Sequence, residues 1–316
     1  MNLLVTEMSG HLGQAIIQTL IETNPFGRIV GIDHRAPTIL GPAQFIAADE
    51  GKVDLGDLLV MNQVDVLLYL GLLTPGIRPR HAFHMANRML EAANAAGIKR
   101  ILIPIQDRFH RVDLGGPEDT GGESTDRSAL AKRHGTIQLA TAKSLAAVIS
   151  HWQERAPQLQ IVSIRLCTIL DIALTTGLVG LLGHRYLYAL RGANPEVHFI
   201  DLMDAAAHLV ELAAAPEYKA VEMVAGDEPL ALEAIAGILE KRLIQLPHWC
   251  VRPVINLLRR FRVLRFDFSD IVQLNLSTSM PGARLRQMDV RPQLSSRQAL
   301  ASWRAECLRR SDERTQ

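Results

Sequence analysis

Eight consecutive residues, Thr6-Glu7-Met8-Ser9-Gly10-His11-Leu12-Gly13, carry the densest chemical signal in this 316-residue chain. They lie between an apolar run, Leu3-Leu4-Val5, and a segment with Ala15, Ile16, Ile17 and Leu20 at helical spacing. That pattern predicts a buried strand, a turn and a helix. A helix starting just after a parallel strand aims unpaired N–H groups and its positive dipole end at one spot, where a pyrophosphate can sit. Gly10 and Gly13 suit this use, because glycine lets the backbone approach phosphates and lets the helix pack on the strand. Thr6, Ser9, His11 and Leu12 share the turn and are candidate contacts. Glu7 stands where a dinucleotide-binding fingerprint has its first glycine, and puts a carboxylate beside a site meant for an anion. The plain alternative is an ordinary strand-to-helix turn.

A second apolar run, Arg28-Ile29-Val30-Gly31-Ile32-Asp33, ends in an acid. It lies about twenty residues past the glycine turn, the spacing of a carboxylate that binds the adenosine ribose. Asp33 favours NAD over NADP, although His34 and Arg35 follow it and can receive a 2'-phosphate. Its alternative is a helix-to-strand turn residue. If Glu7 fills the adenosine side or faces the phosphates, repulsion weakens binding; if it turns away, NAD still binds. Asp49, Leu70 and Gly71 close two further apolar runs, Gln44–Ala48 and Val64–Leu70, and complete the candidate cofactor contacts.

Other residues can exchange protons. His134, Lys143 and His110 are weak candidates for acid-base work, and Gln138 can orient a hydroxyl without acting as an acid. Nothing in the sequence pairs His134 or Lys143 with a nucleophile, which favours solvated helix positions. His81 and His84 have the spacing of a metal pair on a helix, but no third ligand is placed nearby, so no metal is expected. The three cysteines, Cys167, Cys250 and Cys307, form no C-x-x-C pair. With no signal peptide ahead of the first strand, they lead to the expectation of a reduced, cytoplasmic protein. A formal net charge of +1 argues against a nucleic-acid partner, and no apolar run reaches the ~20 residues of a membrane span.

The elements that must position these groups alternate in type. The amphipathic stretch from Arg80 to Ala96 puts Phe83, Ala86, Leu90 and Ala93 on one face, and Gly97 stops it. Arg100–Ile105 reads as strand five. Gln106–Arg127, which includes Gly115-Gly116-Pro117, reads as a long loop. A helix is expected from about Ser128 to Arg155, then a strand at Ile161–Leu166. Strands alternating with helices imply an α/β class, a doubly wound parallel sheet of Rossmann type.

In order and spacing these pieces resemble the extended short-chain dehydrogenase/reductase superfamily, in its NAD-dependent epimerase/dehydratase group, along nearly the whole chain. Phe199-Ile200-Asp201-Leu202-Met203-Asp204-Ala205-Ala206 is similar to the family's stretch linking two domains. Glu222–Leu230 and Met288-Asp289-Val290-Arg291-Pro292 also fit. Enzymes of this family use a Tyr-x-x-x-Lys pair after strand five, with a Ser or Thr at that strand's end. The tyrosine passes a proton, and the lysine lowers its pKa and holds the nicotinamide ribose. This chain supplies no such pair. Tyr69, Tyr186, Tyr188 and Tyr218 have Leu73, Leu190, Gly192 and Glu222 four positions on, and strand five ends Ile105-Gln106. Family spacing counted back from Arg165 puts Gln138 and Ala142 at the pair's positions; a looser alignment puts His134 and Gln138 there.

The resemblance implies a Rossmann domain over residues 1–166, with 195–215 folding back onto it, and a smaller C-terminal α/β lobe from 167–194 and 216–316. It implies a homodimer through helices 80–96 and 139–155, and a small-molecule ligand in the cleft between lobes. Ala140, Ala142, Ala146 and Ala147 suit close helix packing. The stretch Val251–Phe266 interleaves five arginines with apolar residues and holds no acid. It reads as a lobe helix, with a membrane surface or an acidic partner as the alternative. The expected function is that of an NAD(P)-binding protein that has lost the catalytic residues and senses, scaffolds or regulates. The alternative is an NAD(P)-dependent oxidoreductase or epimerase with acid-base groups drawn from His134, Lys143 or His110.

Overall fold

The computed structural model describes residues 1–49, 53–73, 78–106, 137–174, 177–192, 195–216, 221–224, 228–247, 271, 274 and 293–313. His110, His134, the stretch Val251–Phe266 and the segment Met288–Pro292 lie outside them. The chain forms two compact units. The first is drawn from Met1–Asp126, Lys132–Leu166 and Ala205–Val224, and the second mainly from Cys167–Asp204 and Ala225–Gln316.

In the first unit, β1 (Asn2–Thr6) is buried from Leu3 onward because both faces of a parallel sheet are covered. It lies between β2 (Arg28–Asp33) and β4 (Val66–Leu68), parallel to both. With β3 (Gln44–Ala47), β5 (Arg100–Gln106), β6 (Gln160–Leu166) and β11 (Val221–Val224), they make a seven-stranded sheet in the order β11-β6-β5-β4-β1-β2-β3. Every neighbouring pair is parallel. The order reverses between β1 and β4, which opens a crevice at their carboxyl ends.

Helix α1 (His11–Glu22) buries Gly13, Ala15, Ile16, Ile17 and Leu20, the apolar stripe the sequence sets at 3.6-residue spacing. A short helix α2 (Leu55–Met61), capped by the Asp54 carboxylate accepting from the Asp57 N–H, crosses from β3 to β4. Helix α3 (Pro79–Ala95) packs beside α4 (Ile137–Arg155), tied by Trp152 Nε1 donating to Asn87 Oδ1 at 2.9 Å. The buried face of α3 is Ala82, Ala86, Met89, Leu90 and Ala93, whereas Phe83 is 38% exposed. The stripe thus runs i, i+4, i+7, i+8, i+11, and the expected Phe83 falls to its side.

In the second unit three short strand pairs form: β7 (Thr168–Leu170) with β10 (Phe199–Asp201), β8 (Tyr186–Leu190) with β13 (Arg242–Leu246), and β9 (Glu196–Val197) with β12 (Leu230–Ala231). Helices α5 (Gly177–Leu182), α7 (Leu232–Leu239) and α8 (Ser296–Glu313) supply its core with Leu181, Leu182, Ile235, Leu300 and Trp303 around Phe199. Helix α6 (Leu202–Ala214) enters the first unit from Ala205. The first unit takes in Ala205–Val224. The reason is strand pairing: Phe199–Asp201 bonds to β7, while Val221–Val224 bonds to β6. No helix among the described residues is long and apolar enough to cross a membrane.

Candidate functional site

The turn after β1 is fixed from several sides. The buried Thr6 hydroxyl accepts the Leu70 N–H at 2.9 Å, so the ends of β1 and β4 are pinned across the crevice. Leu70 and Gly71 are buried there, Gly71 opening the 3-10 turn Gly71–Leu73. The Met8 N–H donates to the Ile32 carbonyl at 3.3 Å and the Gly10 N–H to the Glu7 carbonyl at 3.1 Å. The Met8 side chain is fully buried over Gly31, where a Cβ would lie 1.7 Å from its sulfur. The side chain of Gln14 donates to the Met8 carbonyl at 3.1 Å and accepts the Ile39 N–H at 2.8 Å, bracing α1 against the segment after β2.

Gly13 is where the helix comes closest to the turn. A Cβ there would stand 2.4 Å from the Glu7 carbonyl oxygen and 2.8 Å from Met8 Cα, distances that backbone atoms cannot relieve by rotating away. Gly10, the N-cap of α1, is extended at φ −67°, no side chain caps the helix, and its first turn carries no acid. His11 is exposed and Leu12 half-buried on that first turn. These features suit an anion at the helix N-terminus.

Glu7 opposes them. It holds the left-handed conformation, φ +53°, that the first glycine of a fingerprint adopts freely and that an L-residue enters at a cost of about 1–2 kcal/mol. It is half-buried, and the charges that act on its carboxyl are Asp33, His34 and Asp49, at the ends of β2 and β3. Glu7 thus feels the charges at the ends of β2 and β3. Burial pushes its carboxyl above the usual carboxylate range, the charges of Asp33 and Asp49 push it further, and His34 partly offsets them.

Asp33 is buried and fully engaged. Its Oδ2 accepts both the Ser9 N–H at 2.9 Å and the Ser9 hydroxyl at 2.6 Å. Its Oδ1 accepts the Arg35 N–H at 3.2 Å and lies 2.8 Å from His34 Nδ1. Burial alone would raise the Asp33 carboxyl; the bonds from Ser9 and Arg35, with His34, outweigh burial and lower it. Asp33 thus stays charged while Glu7 is the readier of the two to take a proton.

The fold thus gathers Thr6, Glu7, Ser9, Gly10, Gly13, Asp33, Leu70 and Gly71 at the carboxyl ends of β1, β2 and β4, with exposed Asp49 just past β3. Of the acid-base candidates, His110 and His134 lie outside the described residues. Lys143 is exposed on α4, and Gln138 falls on α4 outside the residues whose side chains are described. His81 and His84 are exposed on α3, and no group of three His, Cys, Asp or Glu among the described residues could hold a metal ion. Two features escaped sequence reasoning: the Ser9 clasp on Asp33 and the Gln14 brace. A serine directly before the first glycine was the signal for the clasp; nothing in the sequence marked Gln14.

No protein-family model matches the sequence, and no curated protein matches it. Solved structures do match in shape. A UDP-glucuronic acid 4-epimerase from Bacillus cereus, in complex with UDP-glucuronic acid and NAD, superposes at TM-score 0.65 with 16% identity, covering 98% of this chain and 99% of that one. A UDP-glucose 4-epimerase from Thermus thermophilus in complex with NAD gives 0.63 at 16% identity over 98% and 99% of the two chains. The NAD-dependent NDP-hexosamine 5,6-dehydratase TunA gives 0.63 at 14% identity over 96% and 98%. With the parallel sheet, its switch point and the glycine turn, these likenesses establish that the chain has the Rossmann-type fold that these NAD-dependent epimerases and dehydratases share.

Proposed function

We propose that this chain binds NAD in the cradle at the ends of β1 and β2 and acts as a sensor, scaffold or regulator rather than turning over a substrate. The observation that carries the binding half is the contact at Gly13. It brings the uncapped, acid-free first turn of α1 against the end of β1, the geometry a pyrophosphate needs. The N–H groups of the turn from Gly10 to Leu12 would face the pyrophosphate, and the adenosine ribose would lie at the end of β2, where Ser9 holds Asp33. Bound NAD supplies a hydride acceptor; the residues of this chain bind and orient it. Asp33 and Glu7 favour NAD over NADP, since a 2'-phosphate would add charge beside two carboxylates. That the solved neighbours carry NAD agrees with this reading.

The non-catalytic half rests on the residues themselves: no tyrosine lies between Tyr69 and Tyr186, and Lys143 is exposed in solvent. A homodimer through α3 and α4 belongs to the same proposal, supported by the exposed Phe83, Ala147 and His151 on those helices. Calorimetric titration with NAD and NADP, followed by a turnover screen with sugar nucleotides and carbonyl compounds, tests the reading. NAD binding without turnover is the expected result. Steady production of NADH would overturn the non-catalytic half, and absence of binding by wild type and Glu7 variants alike would overturn the other.

A further inference from the structure

Three acids follow neighbouring strands at the edge where the adenosine half of a dinucleotide would enter: Glu7 after β1, Asp33 at the end of β2 and Asp49 after β3. They are not equivalent. Asp33 is buried and takes three hydrogen bonds besides its contact with His34, so its charge is held. Asp49 is exposed, and water screens it. Glu7 is half-buried, and among the described residues no hydrogen bond reaches its carboxyl group. Its Cα is fixed in place, because the left-handed backbone at φ +53° is held by the Met8 and Gly10 bonds on either side.

We propose that Glu7 is a proton-operated gate on the cradle: the dinucleotide is admitted when the Glu7 carboxyl is protonated and repelled when it is ionised. The inference rests on the dinucleotide-binding reading and adds its regulation. A neutral carboxyl can donate a hydrogen bond to a ribose or phosphate oxygen, whereas a carboxylate only accepts. Bringing an anionic ligand beside Glu7 raises the cost of ionising it, so binding takes up a proton. The charged groups that act on Glu7 are Asp33 and His34 from β2 and Asp49 from β3. Asp33 and Asp49 push Glu7 toward the protonated form, and His34 works against them. His11, on the first turn of α1, is exposed and is the remaining titratable group of the turn.

The test is titration of the full chain with NAD between about pH 5 and about pH 8, each point in two buffers of different ionisation enthalpy, which counts protons directly. Wild type is expected to lose affinity as pH rises, by up to about tenfold per pH unit for one linked proton, with net proton uptake on binding. Glu7→Gln keeps the shape without the charge and is expected to bind tightly and without pH dependence. A pH-independent wild type that takes up no proton overturns the gate while leaving the cradle reading intact. A Glu7→Gln variant with the wild-type pH dependence assigns the titration to His34 or His11 and also overturns it. Failure of both proteins to bind at any pH overturns the cradle reading and the gate with it. Proton counting on wild type alone decides the matter should the variant not fold.

Discussion

Replacing Glu7 by glycine and, separately, by alanine divides its cost into a backbone part and a charge part. The backbone part comes from φ +53°. An L-residue there gives up about 1–2 kcal/mol, which glycine avoids, while glycine's larger unfolded-state freedom returns about 0.4–1 kcal/mol. Glu7→Gly is therefore expected to be about 0.5–1 kcal/mol more stable than Glu7→Ala, a difference that does not depend on pH. The charge part behaves otherwise. Burial, then Asp33 and Asp49, raise the Glu7 carboxyl in the folded state, so folding favours the protonated form. That contribution is fully present below the unfolded value of 4.5 and is lost as pH rises through the higher folded value. Both variants should therefore gain on wild type as pH rises, and the gain should fade in acid.

Equilibrium urea denaturation at several pH values, followed on the transition of the unit that holds β1, measures both parts. A difference of 1 kcal/mol corresponds to about 2–4 °C in melting temperature for a unit of this size. Should Glu7→Ala match or exceed Glu7→Gly at every pH, the left-handed backbone carries no strain and the reasoning fails. Should neither variant gain on wild type at neutral pH, Glu7 is not penalised by its neighbours, and the basis of the gate goes with it.

Other perturbations follow from the same turn. Thr6→Val keeps the shape of a buried side chain but leaves the Leu70 N–H without its acceptor; a loss of about 1–3 kcal/mol is expected, with Thr6→Ser near wild type in the same denaturation assay. Gly13→Ala puts a methyl 2.4 Å from the Glu7 carbonyl oxygen, and forcing α1 away should cost about 1–3 kcal/mol and abolish NAD binding by calorimetry. Ser9→Ala removes one of the two Ser9 bonds that help hold the Asp33 carboxyl below its ordinary value. Stability from a lowered carboxyl is present above the unfolded value of 3.8 and lost as pH falls through the folded one. The variant should thus be weaker by about 1.5–3 kcal/mol at neutral pH and indistinguishable from wild type in strong acid.

What the sequence disclosed was local. Leu3-Leu4-Val5, the Gly10 and Gly13 spacing and the run ending at Asp33 each lie within one element, and they place β1, α1 and β2 where the structure has them. Helical periodicity fixed α3 and most of its buried face, Ala86, Leu90 and Ala93, and erred at Phe83, which sits close enough to the stripe to be mistaken for part of it. Pairings across long separations were hidden. Tyr186–Leu190 meets Arg242–Leu246, and Val221–Val224 joins β6, through contacts that no single stretch encodes. The Ser9 bond to Asp33 is the same case within the site, spanning 24 residues. Each group reads as unremarkable until the sheet register brings β1 and β2 together.

The glycines of the site divide by the job they do, and that division carries the functional reading. Gly13 and Gly31 answer to packing: a Cβ at either would overlap the turn backbone or the Met8 sulfur, so only glycine lets α1 and Met8 sit where they do. Position 7 answers to the ligand. Its backbone conformation is imposed by Met8 bonded to Ile32, Gly10 bonded back to position 7, and Gln14 clamped to Ile39. The turn persists with glutamate there at about 1–2 kcal/mol. A side chain at position 7 consequently alters what may approach the cradle without altering the cradle. The uncapped N-terminus of α1 stands at the end of β1, while position 7 holds an acid that feels the charges of two others. On the proposed reading, a protein so built would respond to the dinucleotide under conditions its own charge selects, the behaviour of a sensor rather than of an enzyme that must keep its cofactor bound through every turnover.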